Sequence, residues 1–164
     1  MSSTDRSIEK YSEVICRDNK DTKIFIAVSG GCDSMTLLTL FNKYHSNIEA
    51  LHVNYKLRGI ESDRDEQLVK DYCQSLKVPF HTFVIDLKKE LENSGGNLQD
   101  KARQIRYDFF FSHLIKHKQA IVALAHHHND QIENFWMQMA RGGGLRAMSG
   151  MNEKKKDTLR PFLS

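Results

Sequence analysis

Four apolar runs, separated by stretches with helical periodicity, organise most of the chain. They cover residues 23–28, 48–54, 80–85 and 120–125. Between the runs, apolar residues recur at three- and four-residue intervals, which predicts amphipathic helices. Strands that alternate with helices indicate an α/β fold, a doubly wound parallel sheet of the Rossmann-like type. A last apolar segment, 159–163, predicts a further strand, so we expect a sheet of about five strands.

The same patterns predict where the helices and loops lie. Helices are expected at 8–18, directly after a turn at 29–34, from residue 62 onward, and at 98–118. Residues 86–97 are polar and end in a glycine pair followed by Asn97. This composition predicts a loop that ends at a helix N-cap, and the loop could serve as a substrate lid or as a plain connection.

The turn between the first strand and its helix reads Ser29-Gly30-Gly31-Cys32-Asp33-Ser34. Glycines allow positive φ and a close approach of a ligand to the backbone, while the free N–H groups of a helix N-terminus attract anions. The turn is therefore a candidate phosphate-binding loop, although it is neither a Walker A loop nor a three-glycine dinucleotide loop.

An acidic residue inside this turn changes the chemistry that it predicts. A carboxylate beside phosphates is unfavourable unless a cation lies between them, so Asp33 predicts a Mg²⁺ ion that it shares with phosphate oxygens. The hydroxyls of Ser29 and Ser34 would add neutral donors. The alternative is that Asp33 and Ser34 only cap the helix.

The second strand ends in polar residues. In an open α/β sheet, ligands bind beyond the carboxyl ends of the strands, which is where His52, Asn54 and Arg58 are expected. The alternative is an edge strand followed by a solvated loop.

Two arginines on the long helix, Arg103 and Arg106, are three residues apart and share one helix face. They could bind phosphate or offset charge on a transferring phosphoryl group. The alternative is an ordinary solvated face.

A group of polar residues follows the fourth strand. His126 lies at its end, and Asp130 and Glu133 share a face if a helix begins near residue 129. Such a group could bind a metal, move protons or hold a substrate ammonium. Arg141 precedes three glycines, which could approach phosphate or form a flexible loop.

Composition adds limits to this interpretation. The 164 residues suit one domain, 1–164, with 40% hydrophobic and 27% charged residues. The net charge of +3 permits a nucleic-acid partner without requiring one. The three cysteines form no Cys-x-x-Cys pair, which favours a reducing compartment. Without a signal peptide or an apolar span, we expect a cytoplasmic protein with no membrane contact.

The motif Ser-Gly-Gly-x-Asp-Ser after a buried strand resembles the PP-loop of the N-type ATP pyrophosphatases. This resemblance implies an adenine nucleotide alpha hydrolase-like fold and cleavage of ATP between its α and β phosphates. It implies ATP and Mg²⁺ as cofactors. The residues that it assigns to nucleotide and metal are Ser29, Gly30, Gly31, Asp33, Ser34 and His52, with Asp33 on the metal.

Further blocks resemble the tRNA(Ile)-lysidine synthetase family. They are His52-Val53-Asn54 with Leu57-Arg58-Gly59, Ala102-Arg103 with Arg106-Tyr107, His126-His127 with Asp130-Gln131 and Glu133, and Arg141-Gly142 with Gly144-Leu145 and Gly150-Met151. Arg160-Pro161 resembles the next landmark of the family. The departures are Tyr55 and Lys56 in place of His and Gly, Asn129 in place of Asp, and Ala147 in place of Gly.

This resemblance implies ligation of L-lysine to C2 of the first anticodon cytidine of tRNA(Ile) with a CAU anticodon, through an adenylated cytidine. The implied catalytic residues are Asp33, Arg103, Arg106, His126, Asp130 and Glu133. The implied substrate-binding residues are Asn54, Arg58, Asp130, Glu133 and Arg141. The family continues past the position of Ser164 into tRNA-binding domains, so we expect an N-terminal catalytic fragment. Whether the chain forms a homodimer is left open.

Three other functions compete with this interpretation. A tRNA thiolase of the same superfamily would normally bring paired cysteines, which the chain lacks. A metal-dependent hydrolase could be built on His126, His127 and Asp130. A non-catalytic nucleotide-binding module would need only the loop.

Overall fold

The structure is a computed structural model, and it describes residues 3–117, 119–125, 154–155 and 158–159. Its strands are β1 (Lys23–Ala27), β2 (Ile48–Asn54), β3 (Phe80–Val84), β4 (Ala120–Leu124), β5 (Lys154–Lys155) and β6 (Thr158–Leu159). Its helices are α1 (Ser3–Asp18), α2 (Cys32–Tyr44), α3 (Ile60–Ser75), α4 (Leu87–Ser94) and α5 (Leu98–Leu114).

The strands form one sheet in the order β3-β2-β1-β4-β6-β5. All neighbouring strands pair in parallel except β5, which is antiparallel to β6. The predicted parallel α/β fold is confirmed. The count of five strands is not confirmed, because the described residues give four strands of five or seven residues and two of only two.

The two central strands, β1 and β4, are buried because their side chains are apolar on both faces of the sheet. Ile24, Phe25 and Ile26 of β1 are fully buried. Ile24 and Ile26 face α1, α2 and α3, whereas Phe25 packs with Phe110 of α5 on the other face. Burying the central strands this way holds their carboxyl ends rigidly, and that edge carries the candidate site.

The prediction of a loop at 86–97 is wrong for most of this segment. Residues Leu87–Ser94 form α4, whose N-cap is Asp86, and the Asp86 side chain accepts a hydrogen bond from the backbone N–H of Lys89 at 3.2 Å. Leu87 is fully buried and anchors this helix. The polar composition hid the helix because, among its residues whose burial the structure describes, only Leu87 belongs to the buried core. The predicted N-cap at Asn97 is confirmed, since its side chain accepts from the N–H groups of Gln99 and Asp100.

Candidate nucleotide site at the carboxyl ends of the strands

A cavity of about 400 Å³ opens where β1, β2 and β4 end. The residues that line it are Ala27, Val28, Ser29, Ser34, Leu51, His52, Val53, Asn54, Tyr55, Leu57, Arg58, Ser62, Asp65, Arg106, Phe110, Leu124 and Ala125. Its apolar wall comes from the strand ends and from Phe110, and its polar groups come from the end of β2, from the loops after β1 and β2, and from α2, α3 and α5. An apolar pocket with a few convergent polar groups at this edge of a sheet is typical of a nucleotide site.

The turn after β1 is closed by hydrogen bonds between its own residues. Ser34 Oγ donates to the carbonyl of Gly31 at 2.9 Å and accepts from the N–H of Ser29 at 3.1 Å. The two hydroxyl oxygens of Ser29 and Ser34 lie 3.2 Å apart. Because the one proton of Ser34 Oγ is donated to Gly31, the Ser29 hydroxyl is the donor between the two side chains, and a phosphate could receive either proton only after that hydroxyl rotates.

Helix α2 begins at this turn with a glycine as its N-cap residue. Gly31 is its N-cap and has no side-chain cap hydrogen bond. A glycine at this position adds no side chain between the N-terminal end of α2 and an anion, as expected of a phosphate loop.

Only one of the two glycines of the turn has a backbone conformation that favours glycine. Gly30 has φ +93°, which an L side chain rarely adopts, and a Cβ built there would meet Asp65 Cβ and Val69 Cγ2 at 3.6 Å. Gly31 has φ −75°, which any residue adopts, so the expected need for positive φ does not hold there.

Asp33 lies in the first turn of α2 and is exposed, outside the lining of the cavity. Within the described residues no group of three or more His, Cys, Asp and Glu side chains could hold a metal. A magnesium ion is commonly bound by one or two carboxylates together with substrate phosphates and water. One carboxylate beside a phosphate loop fits such an ion.

His52 is buried, with 3% of its surface exposed, and its Nδ1 lies 2.7 Å from the carbonyl oxygen of Val28. A carbonyl only accepts, so Nδ1 carries the proton and Nε2 is left as an acceptor in the neutral ring. The histidine thus ties β2 to the residue that precedes the phosphate loop.

Asn54 lines the cavity, but its side chain is engaged within the protein. Its Nδ2 donates to Asp63 Oδ1 at 2.9 Å and to Glu66 Oε2 at 2.7 Å, and its Oδ1 accepts from the N–H of Lys56 at 2.9 Å. Both amide protons are used in these bonds, so the geometry favours a role in holding the start of α3. Sequence reasoning missed Asp63 and Glu66 as its partners.

The departure at Lys56 has a structural counterpart. Lys56 has φ +54°, a left-handed conformation that favours glycine, which is the usual residue of the resembled family at this position. Its ammonium forms an ion pair with Asp63, which ties this turn to α3.

Arg58 also lines the cavity and forms an ion pair with Asp65 of α3. Its side chain is 65% exposed. Because Asp65 also lies against Gly30, the pair brings the loop after β2 next to the phosphate loop. Asp65 was not among the predicted site residues, and no local pattern distinguished it from the other acidic residues of α3.

The two arginines of α5 are not equivalent. Arg106 is half-buried and lines the cavity, whereas Arg103 is exposed and does not line it. Each guanidinium carbon lies near the ring of Tyr107, at 5.7 Å for Arg103 and 5.8 Å for Arg106, within the range of a cation–π contact. The charged groups of the cavity wall are therefore Arg58, Arg106 and Asp65 in the described part of the chain.

Tyr55 is half-buried beside Arg106, and its hydroxyl donates to the carbonyl of Ala102 at 2.9 Å. Burial raises the pKa of Tyr55, and the positive charge of Arg106 partly opposes that rise. The sequence had marked Tyr55 only as a departure from the resembled family.

The remaining predicted residues, His126, Asp130, Glu133 and Arg141, lie outside the described residues, as do the departures at Asn129 and Ala147. The three cysteines are free thiols. No helix in the described ranges is long and apolar enough to cross a membrane.

Comparisons with known proteins agree with this geometry. The profile of the PP-loop domain matches residues 3–164. The tRNA(Ile)-lysidine synthase of Clostridium tetani is 35% identical over 162 residues, which cover 96% of this chain and 34% of the relative. The chain thus spans about a third of that relative's length.

Two solved structures share the fold. The U34-tRNA thiolase NcsA from Methanococcus maripaludis with its [4Fe-4S] cluster has a TM-score of 0.68 at 18% identity, over 94% of this chain and 59% of that one. The NH3-dependent NAD synthetase from Campylobacter jejuni in complex with the nitrate ion has a TM-score of 0.63 at 16% identity, over 100% and 69%. At these identities the likeness concerns the fold alone.

Proposed function

The chain belongs to the PP-loop domain family, and from this premise we propose that it is the ATP-dependent catalytic part of a tRNA(Ile)-lysidine synthetase. That enzyme would join L-lysine to C2 of the first anticodon cytidine of tRNA(Ile) with a CAU anticodon, in the cytoplasm. The observation that carries the proposal is the 35% identity to a tRNA(Ile)-lysidine synthase over 96% of this chain. The cavity supports the nucleotide half of the reaction.

In the proposed first step, the cytidine C2 oxygen attacks the α-phosphorus of ATP and pyrophosphate leaves. The backbone of Gly30 and Gly31 and the N-terminus of α2 would bind phosphates, with Ser29 and Ser34 turning their hydroxyls outward. Arg106, from the cavity wall, would offset the charge that builds on the leaving pyrophosphate. We assign Arg103 a weaker, outer role because it is exposed.

A magnesium ion, held by Asp33, would neutralise part of the triphosphate charge and so make the α-phosphorus easier to attack. His52 would act on the loop itself, since it bonds the residue before Ser29. Arg58 would reach substrate only where its ion pair with Asp65 opens or is shared.

In the proposed second step, the ε-amine of lysine attacks C2 of the adenylated cytidine, and AMP leaves with the former C2 oxygen. An ammonium is no nucleophile, so the amine must first lose a proton. We propose Asp130, Glu133 and His126 for holding and deprotonating it, and Arg141 for binding substrate, while Asn54 would support the substrate-binding loop through its bonds to Asp63 and Glu66.

The test uses the gene product that contains this chain, with Mg-ATP, lysine and tRNA(Ile) bearing a CAU anticodon. The expected products are AMP and a tRNA heavier by one lysine less one water, read by chromatography and mass spectrometry. The Asp33→Ala variant should lose this turnover. AMP without the mass gain would keep PP-loop chemistry but refute lysine as the nucleophile or this tRNA as its acceptor, and ADP as the nucleotide product would refute the proposal altogether.

A further inference from the structure

The two halves of helix α5 are held in different ways. The carboxyl half is anchored by Phe110, which is buried among Phe25, Leu51 and Leu124 on one face of the sheet. In the amino half, from Leu98 to Arg106, no residue is fully buried. The position of that half therefore depends more on individual polar contacts than on packing.

One of these contacts comes directly from the end of β2. The hydroxyl of Tyr55 donates to the carbonyl of Ala102 at 2.9 Å, across 47 positions of sequence. A second contact, the ion pair of Lys101 with Glu90, joins the same half to α4 at 3.0 Å. The Tyr55 bond links it to the strand end that forms the cavity wall.

The accepting carbonyl has a further partner within the helix. In an α-helix the carbonyl of residue i accepts from the N–H of residue i+4, so the oxygen of Ala102 serves both Tyr55 and Arg106. The side chains of Tyr55 and Arg106 both line the cavity. A shift of the amino half of α5 would therefore move the backbone of Arg106 relative to the phosphate loop.

We propose that Tyr55 is a positioning residue, whose hydroxyl holds the amino half of α5 against the end of β2 so that the guanidinium of Arg106 faces a bound triphosphate. Tyr55 acts through Arg106 and touches no reacting atom. The nature of the ligand in this inference rests on the proposed function, whereas the positioning itself can be measured without a ligand.

The first test measures backbone amide hydrogen exchange of the wild-type chain and of Tyr55→Phe, which removes only the hydroxyl. Loss of one hydrogen bond should speed exchange of the amides at 102–106 by about 3- to 10-fold. Exchange around Phe110 and in β1 should not change. The matched control is Tyr72→Phe, which removes a hydroxyl bonded to Thr39 at 2.7 Å, away from the cavity lining.

Unchanged exchange at 102–106 would overturn the inference. A rise that extends equally to β1 and β4 would also overturn it, because it would show general destabilisation instead of a local restraint. This test does not depend on whether ATP binds.

The second test measures Mg-ATP affinity by calorimetry in a double-mutant cycle. Tyr55→Phe should weaken binding by about 3- to 10-fold, and in the Arg106→Met background it should have no further effect. Additive effects would overturn the inference while leaving the proposed function intact. If the wild-type chain binds no Mg-ATP, the proposed function loses its nucleotide step, and hydrogen exchange alone decides the role of Tyr55.

Discussion

The Nδ1 atom of His52 lies 2.7 Å from the carbonyl oxygen of Val28, one residue before the phosphate loop begins. Val28 has already left β1, but its N–H still donates to the carbonyl of Leu51 at 2.9 Å. Its carbonyl is bonded by a side chain of β2. Both residues are buried, with 2% and 3% of their surfaces exposed, so water cannot replace this bond at little cost.

Replacing His52 with alanine should therefore destabilise the fold and loosen the start of the loop. The change leaves a buried carbonyl without its side-chain donor and opens a cavity, so we expect the free energy of unfolding to fall by about 2–4 kcal/mol. Mg-ATP binding should weaken as well. Urea denaturation and calorimetry measure these effects.

The matched control is His81→Ala. His81 is 38% exposed and its Nε2 is paired with Glu49 at 2.7 Å, so its removal should cost less than about 1 kcal/mol. Equal losses in the two variants would contradict a special role for His52.

The two glycines of the loop should respond differently to alanine. At Gly30 the backbone has φ +93°, and Gly30→Ala should lower the free energy of unfolding by about 1–2 kcal/mol because an L residue is strained there. At Gly31, with φ −75°, the Cβ would meet only Ser29 Oγ at 3.5 Å, so Gly31→Ala should change it by less than about 0.5 kcal/mol. Thermal and urea unfolding measure both, and a larger loss at Gly31 than at Gly30 would refute the assigned backbone geometry.

Cys32 offers a chemical probe of the loop. It is exposed, whereas Cys16 and Cys73 are buried, and burial raises their pKa values to about 12 and about 11. Because the thiolate is the reactive form, N-ethylmaleimide should modify Cys32 first in the folded chain. Saturating Mg-ATP should slow this reaction about tenfold if the nucleotide covers the loop. Peptide mass spectrometry identifies the modified cysteine. The control is the chain unfolded in urea, in which all three cysteines should react.

Protection that fails while calorimetry still detects Mg-ATP binding would show that the nucleotide lies elsewhere. Modification of Cys16 or Cys73 ahead of Cys32 would contradict their burial.

The free energy of unfolding should fall as the pH falls, because two side chains, His113 and Glu49, bind protons more weakly in the folded chain. Burial lowers the pKa of His113 from its ordinary 6.5, an effect that nearby His81 and Lys116 reinforce and that Glu49 and the carbonyl of Phe109 oppose. The folded chain therefore binds this proton more weakly than the unfolded chain. The stabilisation that neutral His113 contributes to the fold is therefore complete above pH 6.5 and is lost progressively below it.

Glu49 adds a second, more acidic step. Burial tends to raise its pKa, but hydrogen bonds from Lys23 and His81 and their charges hold it below its ordinary 4.5. The folded chain again binds the proton more weakly, so stability decreases further as the pH falls below 4.5. Urea midpoints between pH 8 and about pH 2 measure both steps. His113→Phe should flatten the first step only, and an unchanged slope near pH 6 would refute its assignment.

Much of the fold follows from local pattern. A continuous apolar run followed by two glycines and a helical period predicts strand, turn and helix without reference to any distant residue, and β1, the loop and α2 agree with it. The pattern failed at α4, whose polar residues hide a helix that Asp86 caps and Leu87 anchors. Burial of a single leucine is a tertiary event and leaves almost no periodic signal.

The candidate site divides in the same way. The sequence alone could place Ser29, Gly30 and Ser34 close together, because they belong to one short turn. The sequence could not separate Arg106 from Arg103, since both share one helix face and only the packing of α5 turns one of them into the cavity. Nor could the sequence predict that the side-chain amide of Asn54 donates both of its protons to Asp63 and Glu66.

The sequence by itself determined the parallel α/β framework and the phosphate loop, because backbone period, turn chemistry and helix start act over a few neighbouring residues. Only the tertiary structure decided which polar side chains line the cavity and which are bound elsewhere. The bond from Tyr55 to Ala102 joins residues 47 positions apart, and such a pair meets only after the sheet and helices have packed. Its partners are set by the relative placement of whole elements, which no local pattern encodes.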